Sequence, residues 1–215
     1  MIKLIEFFTI SNNSTAEIVE KKSRFIANIY PISNIEEAEK IIKEIKKKYY
    51  DAKHHCIAYR IFKDNRIIER SSDDGEPSGT AGAPMLSILQ GKKLCNILVV
   101  VTRYFGGILL GTGGLVRVYS EAENKAIQNS ILIKKVEGVE FQIEIEYSNL
   151  ESFKHYCKIN NIKIFDIKYY ENVELKVEMD NTIKNSFIKD IDEQKLKIIN
   201  IVETCQKIVE MVEKN

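Results

Sequence analysis

Five of the ten glycines in this 215-residue chain fall within nine residues, from Gly106 to Gly114. The segment just before them, "NILVVV" (96–101), is a continuous apolar run rich in β-branched residues, which is typical of a strand buried on both faces. The segment after them carries apolar residues at helical spacing: Leu115, Val118, Ala122 and Ala126. A buried strand that leads through glycines into a helix resembles the connections found in nucleotide-binding proteins.

The physical chemistry of such a connection favours an anion. Amides at a helix N-terminus point outwards into positive potential, and glycines let a phosphate approach the backbone closely. Arg103 and Arg117, on either side of the glycines, would add charged forks. Two named motifs are excluded, because no glycine is followed by Lys and then Ser or Thr, and Val116 stands where the dinucleotide fingerprint needs glycine. The alternative is that the glycines serve tight turns and close packing of backbone.

A second polar segment, 71–80, places Asp73, Asp74 and Glu76 among small hydroxyl residues, downstream of a histidine pair at 54–55. Carboxylates and imidazoles of this kind suggest a metal-dependent hydrolase. No HExxH or comparable spacing supports a metal, so the favoured interpretation is a polar loop whose side chains bond turn backbone. We expect no metal, no cofactor and no catalytic residue, and the hydrolase remains the alternative function.

Alternating apolar residues predict several strands before the glycines: a first strand within 1–22, a second at 23–32, and a hairpin formed by 54–63 and 66–72. Apolar residues at helical spacing after Asn34, the predicted N-cap, indicate a helix. A shorter helix is predicted in "GAPMLSILQGKK", which begins at Gly82.

Composition changes sharply along the chain and predicts two domains, 1–135 and 136–215. Neither glycine nor proline occurs after Gly138. Residues 1–135 carry 21 Lys and Arg against 15 Asp and Glu, including all six arginines, whereas residues 136–215 carry 11 against 16. A basic first domain favours a polyanionic or acidic partner, although an excess this small is also ordinary surface charge.

The second domain is predicted to have the order βαββαβ, which is the ferredoxin-like arrangement. Its elements are the strand "VEFQIEIEY", the helix "NLESFKHYCKINN", the strands "IKIFDIKYY" and "VELKVEM", the helix "NTIKNSFIKDID" and the strand "LKIINIVET". The strict alternation in these strands is expected of a sheet with one solvated face.

The cysteines are predicted to be reduced, buried and unreactive thiols of a cytoplasmic protein, because they lack the spacing of a zinc site: Cys56, Cys95, Cys157 and Cys205. No run approaches the roughly 18 consecutive apolar residues of a membrane span, so no membrane partner is expected.

Two longer segments carry a family resemblance. "DDGEPSGTAGAPMLSIL" and, after a short spacer, "NILVVVTRYFGGILLGTGGLVRVYSEA" resemble the signature of the IMPACT/YigZ family, almost continuously across residues 73–122. The resemblance implies an α+β protein in two parts. Its N-terminal domain would be similar to the second domain of ribosomal protein S5, and its C-terminal domain to the ferredoxin-like domains of elongation factor G.

The resemblance also implies a function. Eukaryotic relatives regulate translation by competing for the activator of a stress kinase, and both structural likenesses point to RNA or the ribosome. We therefore expect a non-enzymatic, translation-associated regulator that binds RNA, the ribosome or a translation-linked protein. A third interpretation is a protein-interaction module whose second domain offers its sheet to a partner.

The residues that match the family pattern form two sets. The signature loop comprises Asp73, Asp74, Gly75, Glu76, Pro77, Ser78, Gly79 and Thr80. The predicted binding surface for an anion, RNA or a partner comprises Arg103, Tyr104, Gly106, Gly107, Gly111, Thr112, Gly113, Gly114 and Arg117.

Overall fold

The computed structural model describes residues 6–211. The chain divides into two compact units, the first spanning Phe7–Ile133 and the second comprising the chain from Lys134 together with Glu6. The first unit contains β1 (Glu6–Ile10), β2 (Ser14–Glu20), β3 (Ser23–Pro31), α1 (Ile35–Lys48), β4 (His54–Lys63), β5 (Arg66–Ser72), α2 (Gly82–Gly91), β6 (Ile97–Tyr104) and α3 (Gly111–Gln128). The second contains β7 (Leu132–Ile145), a 3-10 turn (Tyr147–Asn149), α4 (Leu150–Ile159), β8 (Lys163–Tyr169), β9 (Val173–Asp180), α5 (Asn181–Asp192) and β10 (Asn200–Glu210).

The first unit is built on an antiparallel sheet with strand order β2–β3–β6–β4–β5. Helices α2 and α3 pack on one face, and α1 packs on the other. The central strand β6 supplies both layers, because Val99 and Val101 lie in the core under α2 and α3 while Leu98 and Val100 lie in the core under α1. The predicted strand with two buried faces is confirmed.

Local signals account for the helix α1. Its predicted N-cap is confirmed, because Asn34 Oδ1 accepts a hydrogen bond of 2.8 Å from the amide of Glu37. Ala38, Ile42 and Ile45 form the buried stripe that faces the sheet. Burying side chains of the size of Ile42 contributes about 1.5–3 kcal/mol each, which holds the helix against the sheet.

Two boundaries differ from the sequence-based expectation. Helix α3 begins at Gly111, four residues before the predicted start at Leu115. Apolar periodicity could not reveal this turn, because glycines carry no side chain that marks a face. The N-terminal segment, predicted as one strand, contains β1 and β2 separated by 11–13, and residues 1–5 lie outside the described part.

The second unit contains strands and helices in the predicted order. Within this unit β10 pairs with β7, β7 with β9 and β9 with β8, and each of these pairs is antiparallel. Alternate residues of β7 enter the core beside α4 and α5: Val139, Phe141, Ile143 and Ile145. The residues between them, such as Glu140 and Glu144, lie half-buried on the opposite face of the sheet.

The cysteines are all unbridged, but they are not all buried. Cys56, Cys95 and Cys157 are buried, whereas Cys205 on β10 is exposed, which corrects the expectation for that residue. Burial raises the pKa of the Cys157 thiol to about 12 and that of Cys95 to about 11. Among residues 6–211, no helix is long and apolar enough to cross a bilayer.

Candidate functional site

The signature loop (Asp73–Thr80) begins with a carboxylate that organises the start of α2. Asp73 Oδ1 accepts hydrogen bonds from the amides of Ala81 (3.0 Å) and Gly82 (2.8 Å), and its Oδ2 accepts one from Gly79 (2.8 Å). Burial alone would raise the pKa of Asp73, but these three amides outweigh it and lower the pKa. Asp73 therefore takes the place of an N-cap side chain, because the side chain of Ala81 at the cap position cannot accept a hydrogen bond.

The next carboxylate ties the loop to two elements. Asp74 Oδ1 accepts from Lys46 Nζ on α1 (2.9 Å), and its Oδ2 accepts from the amide of His55 on β4 (2.7 Å). Its carbonyl oxygen lies 2.9 Å from His54 Nδ1. Burial raises the pKa of Asp74, and the Lys46 and His55 hydrogen bonds more than offset this, so the pKa is lowered. Both carboxylate oxygens of Asp74 therefore hold the loop against α1 and β4.

The third carboxylate lies in the interior. Glu76 Oε1 accepts from Arg103 Nη1 at 2.6 Å and from Tyr119 Oη at 2.8 Å. The Arg103 guanidinium lies 5.2 Å from the ring centroid of Phe25 and 5.4 Å from that of Phe105. Arg103 is only 6 % exposed, so the expectation that it offers a fork to an external anion is corrected. The side chain pairs inwards because the loop presents Glu76 to it.

The nearby cysteine and tyrosine are protonated structural groups. Cys56 Sγ lies 3.0 Å from the carbonyl oxygen of Asp73 and 3.3 Å from Tyr119 Oη. Burial raises the pKa of Cys56 to about 12, and burial together with the Cys56 and Glu76 contacts raises the pKa of Tyr119. A thiol with this pKa is a poor nucleophile at neutral pH.

The loop carboxylates do not converge as metal ligands. Each already accepts hydrogen bonds from its own chain, and within residues 6–211 no group of three or more His, Cys, Asp or Glu side chains could hold a metal ion. Thr80 is buried and donates to the carbonyl of Pro77 at 2.6 Å. The part of the loop open to solvent is Gly75, Pro77, Ser78 and Gly79. This geometry favours a scaffold over a hydrolytic centre.

The glycine-rich segment (Gly106–Gly114) leaves β6 beside the turn between β2 and β3. A Cβ atom on Gly106 would lie 2.1 Å from the backbone carbon of Lys22, and the Gly106 amide donates to Ser23 Oγ at 3.0 Å. At Gly106 the packing alternative raised from the sequence is therefore confirmed. Only glycine permits this approach of two backbones.

Other glycines of the segment have no such neighbour. Gly107 and Gly111 have φ values of +85° and +72°, a conformation that favours glycine. Gly113 lies inside α3, where an added Cβ would meet nothing within 4 Å. Glycine is less favourable than alanine in a helix, by up to about 1 kcal/mol in the interior, so neither packing nor backbone conformation explains Gly113.

The start of α3 is open to an incoming group. Its cap residue, Leu110, makes no side-chain capping bond, and the first turn contains no acidic residue. Gly111, Thr112 and Gly113 are exposed there. The first amides of a helix lack partners within the helix and carry the positive end of the macrodipole, so this terminus attracts negative charge.

Apolar side chains stand next to this terminus. Phe105 is 49 % exposed, Ile108 42 % and Leu109 82 %. Tyr104 is turned away from them, because its hydroxyl donates to Asp51 Oδ1 at 2.7 Å and its ring lies under the Arg24 guanidinium. We use the name glycine surface for the solvent-facing part of 105–114 together with Arg117.

Arg117 is the flanking arginine that reaches solvent. Its side chain, on the second turn of α3, is 57 % exposed. Nη2 donates to Glu20 Oε1 at 2.8 Å, and Nη1 lies 3.5 Å from Glu121 Oε2. Both contacts are at the surface, where such pairs are weak and can exchange for an external anion.

The structure adds two residues that the sequence analysis missed. Lys21 and Lys22 form the exposed turn between β2 and β3, and the contact with Gly106 places this turn against the glycine surface. The short "KK" between two alternating segments was the available signal. It lacks the Asn-Gly or Asp-Gly that usually marks a hairpin, so the sequence pattern alone does not predict the turn.

Comparisons with known families match both parts of the chain. Residues 21–127 match the model of the Impact N-terminal domain. Residues 143–194 match a domain of unknown function, DUF1949.

Individual proteins are similar over most of the chain. The IMPACT family member YvyE of Bacillus subtilis is 36% identical over 184 residues, which cover 86% of this chain and 84% of YvyE. YigZ of Escherichia coli, also an IMPACT family member, is 38% identical over 160 residues, covering 74% of this chain and 78% of YigZ. A crystal structure of a hypothetical protein is 31% identical with a TM-score of 0.59, and the match covers 97% of this chain and 98% of that one. With these relatives and both family models in agreement, the chain belongs to the IMPACT family.

Proposed function

We propose that this protein is a non-enzymatic, translation-associated regulator of the cytoplasm, and that it binds RNA, the ribosome or a translation-linked protein through the glycine surface. The observation that carries the proposal is the start of α3. That terminus is exposed, has no capping side chain and no acidic residue in its first turn, and includes a glycine that the fold does not require.

The link to translation is supported by the family resemblance and by the architecture it implies. The second unit has the order strand, helix, strand, strand, helix, strand, and its strands pair in the order β10–β7–β9–β8. We infer from this that it is a ferredoxin-like domain similar to those of elongation factor G. For the first unit we infer the fold of the second domain of ribosomal protein S5.

The domain assignment puts the contact in the basic part of the chain. We take residues 1–135 as the binding domain and 136–215 as the ferredoxin-like domain. All six arginines and the excess of Lys and Arg belong to the first of these. A basic domain with an open helix N-terminus suits phosphate or carboxylate groups, which both RNA and acidic protein surfaces supply.

The exposed apolar side chains of the glycine surface indicate which class of partner it can contact. Leu109 projects almost fully into solvent, and Ile108 is half-exposed beside it. Aliphatic groups at the centre of a surface favour contact with protein, whereas the half-exposed ring of Phe105 can stack on a base. The ribosome presents both kinds of surface.

The test is binding of the full chain to a labelled RNA stem–loop and to purified ribosomes at rising salt. Thr112→Asp puts a carboxylate into the first turn of α3, where it stabilises the helix but repels an anion. We expect weaker binding with no loss of thermal stability. Gln128→Glu, which adds the same charge at the other end of α3, is the matched control. Unchanged affinity in Thr112→Asp would show that the contact lies elsewhere.

A further inference from the structure

We propose that Lys21 and Lys22, at the turn between β2 and β3, contact the phosphates of an RNA that lies on the glycine surface. The inference rests on the proposed function and names both its partner and two of its contact residues. Three properties of the turn carry it: its backbone conformation, its unused charges and its position.

The backbone of the turn is unusual for lysine. Lys21 and Lys22 have φ values of +44° and +66°, so both lie in the left-handed region. A two-residue hairpin of this kind favours Asn, Asp or Gly, because other side chains crowd the following carbonyl. The same sheet contains a second such turn between β4 and β5, and it uses Asp64 and Asn65, with φ values of +50° and +58°.

The comparison within one sheet shows that this architecture accommodates the favoured residues. Lysine at both positions therefore strains the hairpin, and this strain lowers the stability of the folded chain. Backbone strain of this kind concentrates at functional sites, where a side chain is retained for what it binds.

Both charges are also unused by the fold. The two side chains are exposed, and neither ammonium group makes a hydrogen bond or ion pair with any residue from 6 to 211. Nearby cations behave differently, since Arg24 pairs with Glu17 at 2.9 Å and Arg117 with Glu20 at 2.8 Å. Two adjacent like charges without partners repel each other, so the pair offers its charge to something outside the chain.

The position of the turn joins it to the glycine surface at two points. On one side, the backbone of Lys22 packs against Gly106, whose amide donates to Ser23 Oγ at 3.0 Å. On the other, Glu20 at the end of β2 accepts a hydrogen bond from Arg117 on α3. The two lysines therefore extend the glycine surface and do not form a separate patch.

The chemistry of this extended surface favours RNA over an acidic protein. Lysine ammonium groups are mobile point charges that suit phosphates without reading sequence. A phosphodiester chain carries such charges in a row, and the half-exposed ring of Phe105, next to Gly106, provides a face on which a base can stack.

The closing experiment uses the full chain with Lys21→Asn and Lys22→Gly combined. Binding to a fluorescein-labelled RNA stem–loop is measured by polarisation between about 50 and about 200 mM salt. We expect affinity to fall about tenfold and the salt slope to fall by about 1 to 2. The thermal midpoint should rise by several degrees, because the new turn residues relieve the strain.

Two matched variants serve as controls. Lys43→Gln with Lys47→Gln removes two charges from the outer side of α1, and Asp64→Asn with Asn65→Gly improves the other turn. Neither should change the affinity for RNA. A charge effect of the whole domain would instead weaken binding in the α1 variant as well, and would overturn the assignment to this turn.

The outcomes separate the inference from the proposed function. If the wild-type chain binds RNA and the turn variant binds with the same affinity and slope, the inference is wrong while the proposed function stands. If the wild type binds neither RNA nor ribosomes, the inference is wrong, and of the proposed partners only a translation-linked protein is left. If the turn variant loses binding to poly-glutamate but keeps binding to RNA, the lysines serve an acidic protein and the RNA assignment is overturned.

Discussion

Glu76 and Arg103 form an ion pair of 2.6 Å in which the two side chains are only 3 % and 7 % exposed. Tyr119 Oη donates to the same carboxylate oxygen, at 2.8 Å. One oxygen atom therefore joins the signature loop, the end of β6 and the middle of α3. The two segments that carry the family resemblance are held together by this contact.

Removing one partner of the Glu76–Arg103 pair should strongly destabilise the first unit. Glu76→Leu leaves the guanidinium buried without a counter-charge, which costs about 3–5 kcal/mol. Glu76→Leu with Arg103→Met removes both charges and should recover much of that loss. Urea denaturation of Glu76→Leu, of Arg103→Met and of the double variant measures the coupling. Additive effects would show that the pair contributes nothing as a pair.

Asp73 should make the stability of the first unit depend on acid pH. Its pKa is lowered because the three amide hydrogen bonds outweigh burial, so its contribution is present above the ordinary aspartate pKa and is lost as pH falls through the folded value. Asp73→Ala should lose about 2 kcal/mol at neutral pH, as other removed caps do. Chemical denaturation at neutral and acid pH should show that the difference from wild type shrinks in acid.

Local sequence signals were sufficient for most of the fold. The N-cap at Asn34 and the two-faced burial of β6 were predicted correctly, because caps and apolar periodicity act over a few residues. The order of elements in the second unit followed from the same periodicity. These features need no knowledge of distant partners.

The site depended on contacts that no local pattern reveals. The sequence predicts Arg103 at the surface, but the side chain is buried with a partner that lies 27 positions earlier in the chain. No local pattern near either residue indicates this pair. The Lys21–Lys22 turn likewise meets Gly106 only through pairing of β3 with β6. Long-range pairing of this kind is decided by the whole sheet, so the sequence indicated the segments involved and not their roles.

Glu123 on α3 should make the protein less stable as pH rises. It is fully buried, and neither carboxyl oxygen has a hydrogen-bond partner in the described part of the chain. Burial raises its pKa well above the usual glutamate range, with Lys92 opposing weakly. Stability is therefore greatest below the ordinary glutamate pKa and falls as pH rises towards the folded value.

The Glu123 dependence can be isolated by substitution. Glu123→Leu should be more stable than wild type at neutral and weakly alkaline pH, since it removes a buried polar group that lacks a partner. The difference should grow with pH. Glu121→Gln, an exposed site on the same helix, should leave the pH profile unchanged. A Glu123→Leu variant with the wild-type profile would show that the buried carboxyl is not the titrating group.

The glycines of the glycine-rich segment should respond in opposite directions to alanine. Gly106→Ala forces a Cβ to within 2.1 Å of the Lys22 backbone carbon, so β6 and the neighbouring turn must separate. Forced overpacking of this kind costs about 1–3 kcal/mol. Gly113→Ala meets no neighbour within 4 Å and replaces a poor helix former in the first turn of α3, so stability should rise by up to about 1 kcal/mol. Thermal and urea unfolding measure both changes in stability.

The Gly113→Ala variant also tests the role of this residue in binding. If it weakens binding to the RNA stem–loop, glycine is retained at this position for the partner and not for the fold. A variant that is more stable and binds equally well would remove Gly113 from the binding surface.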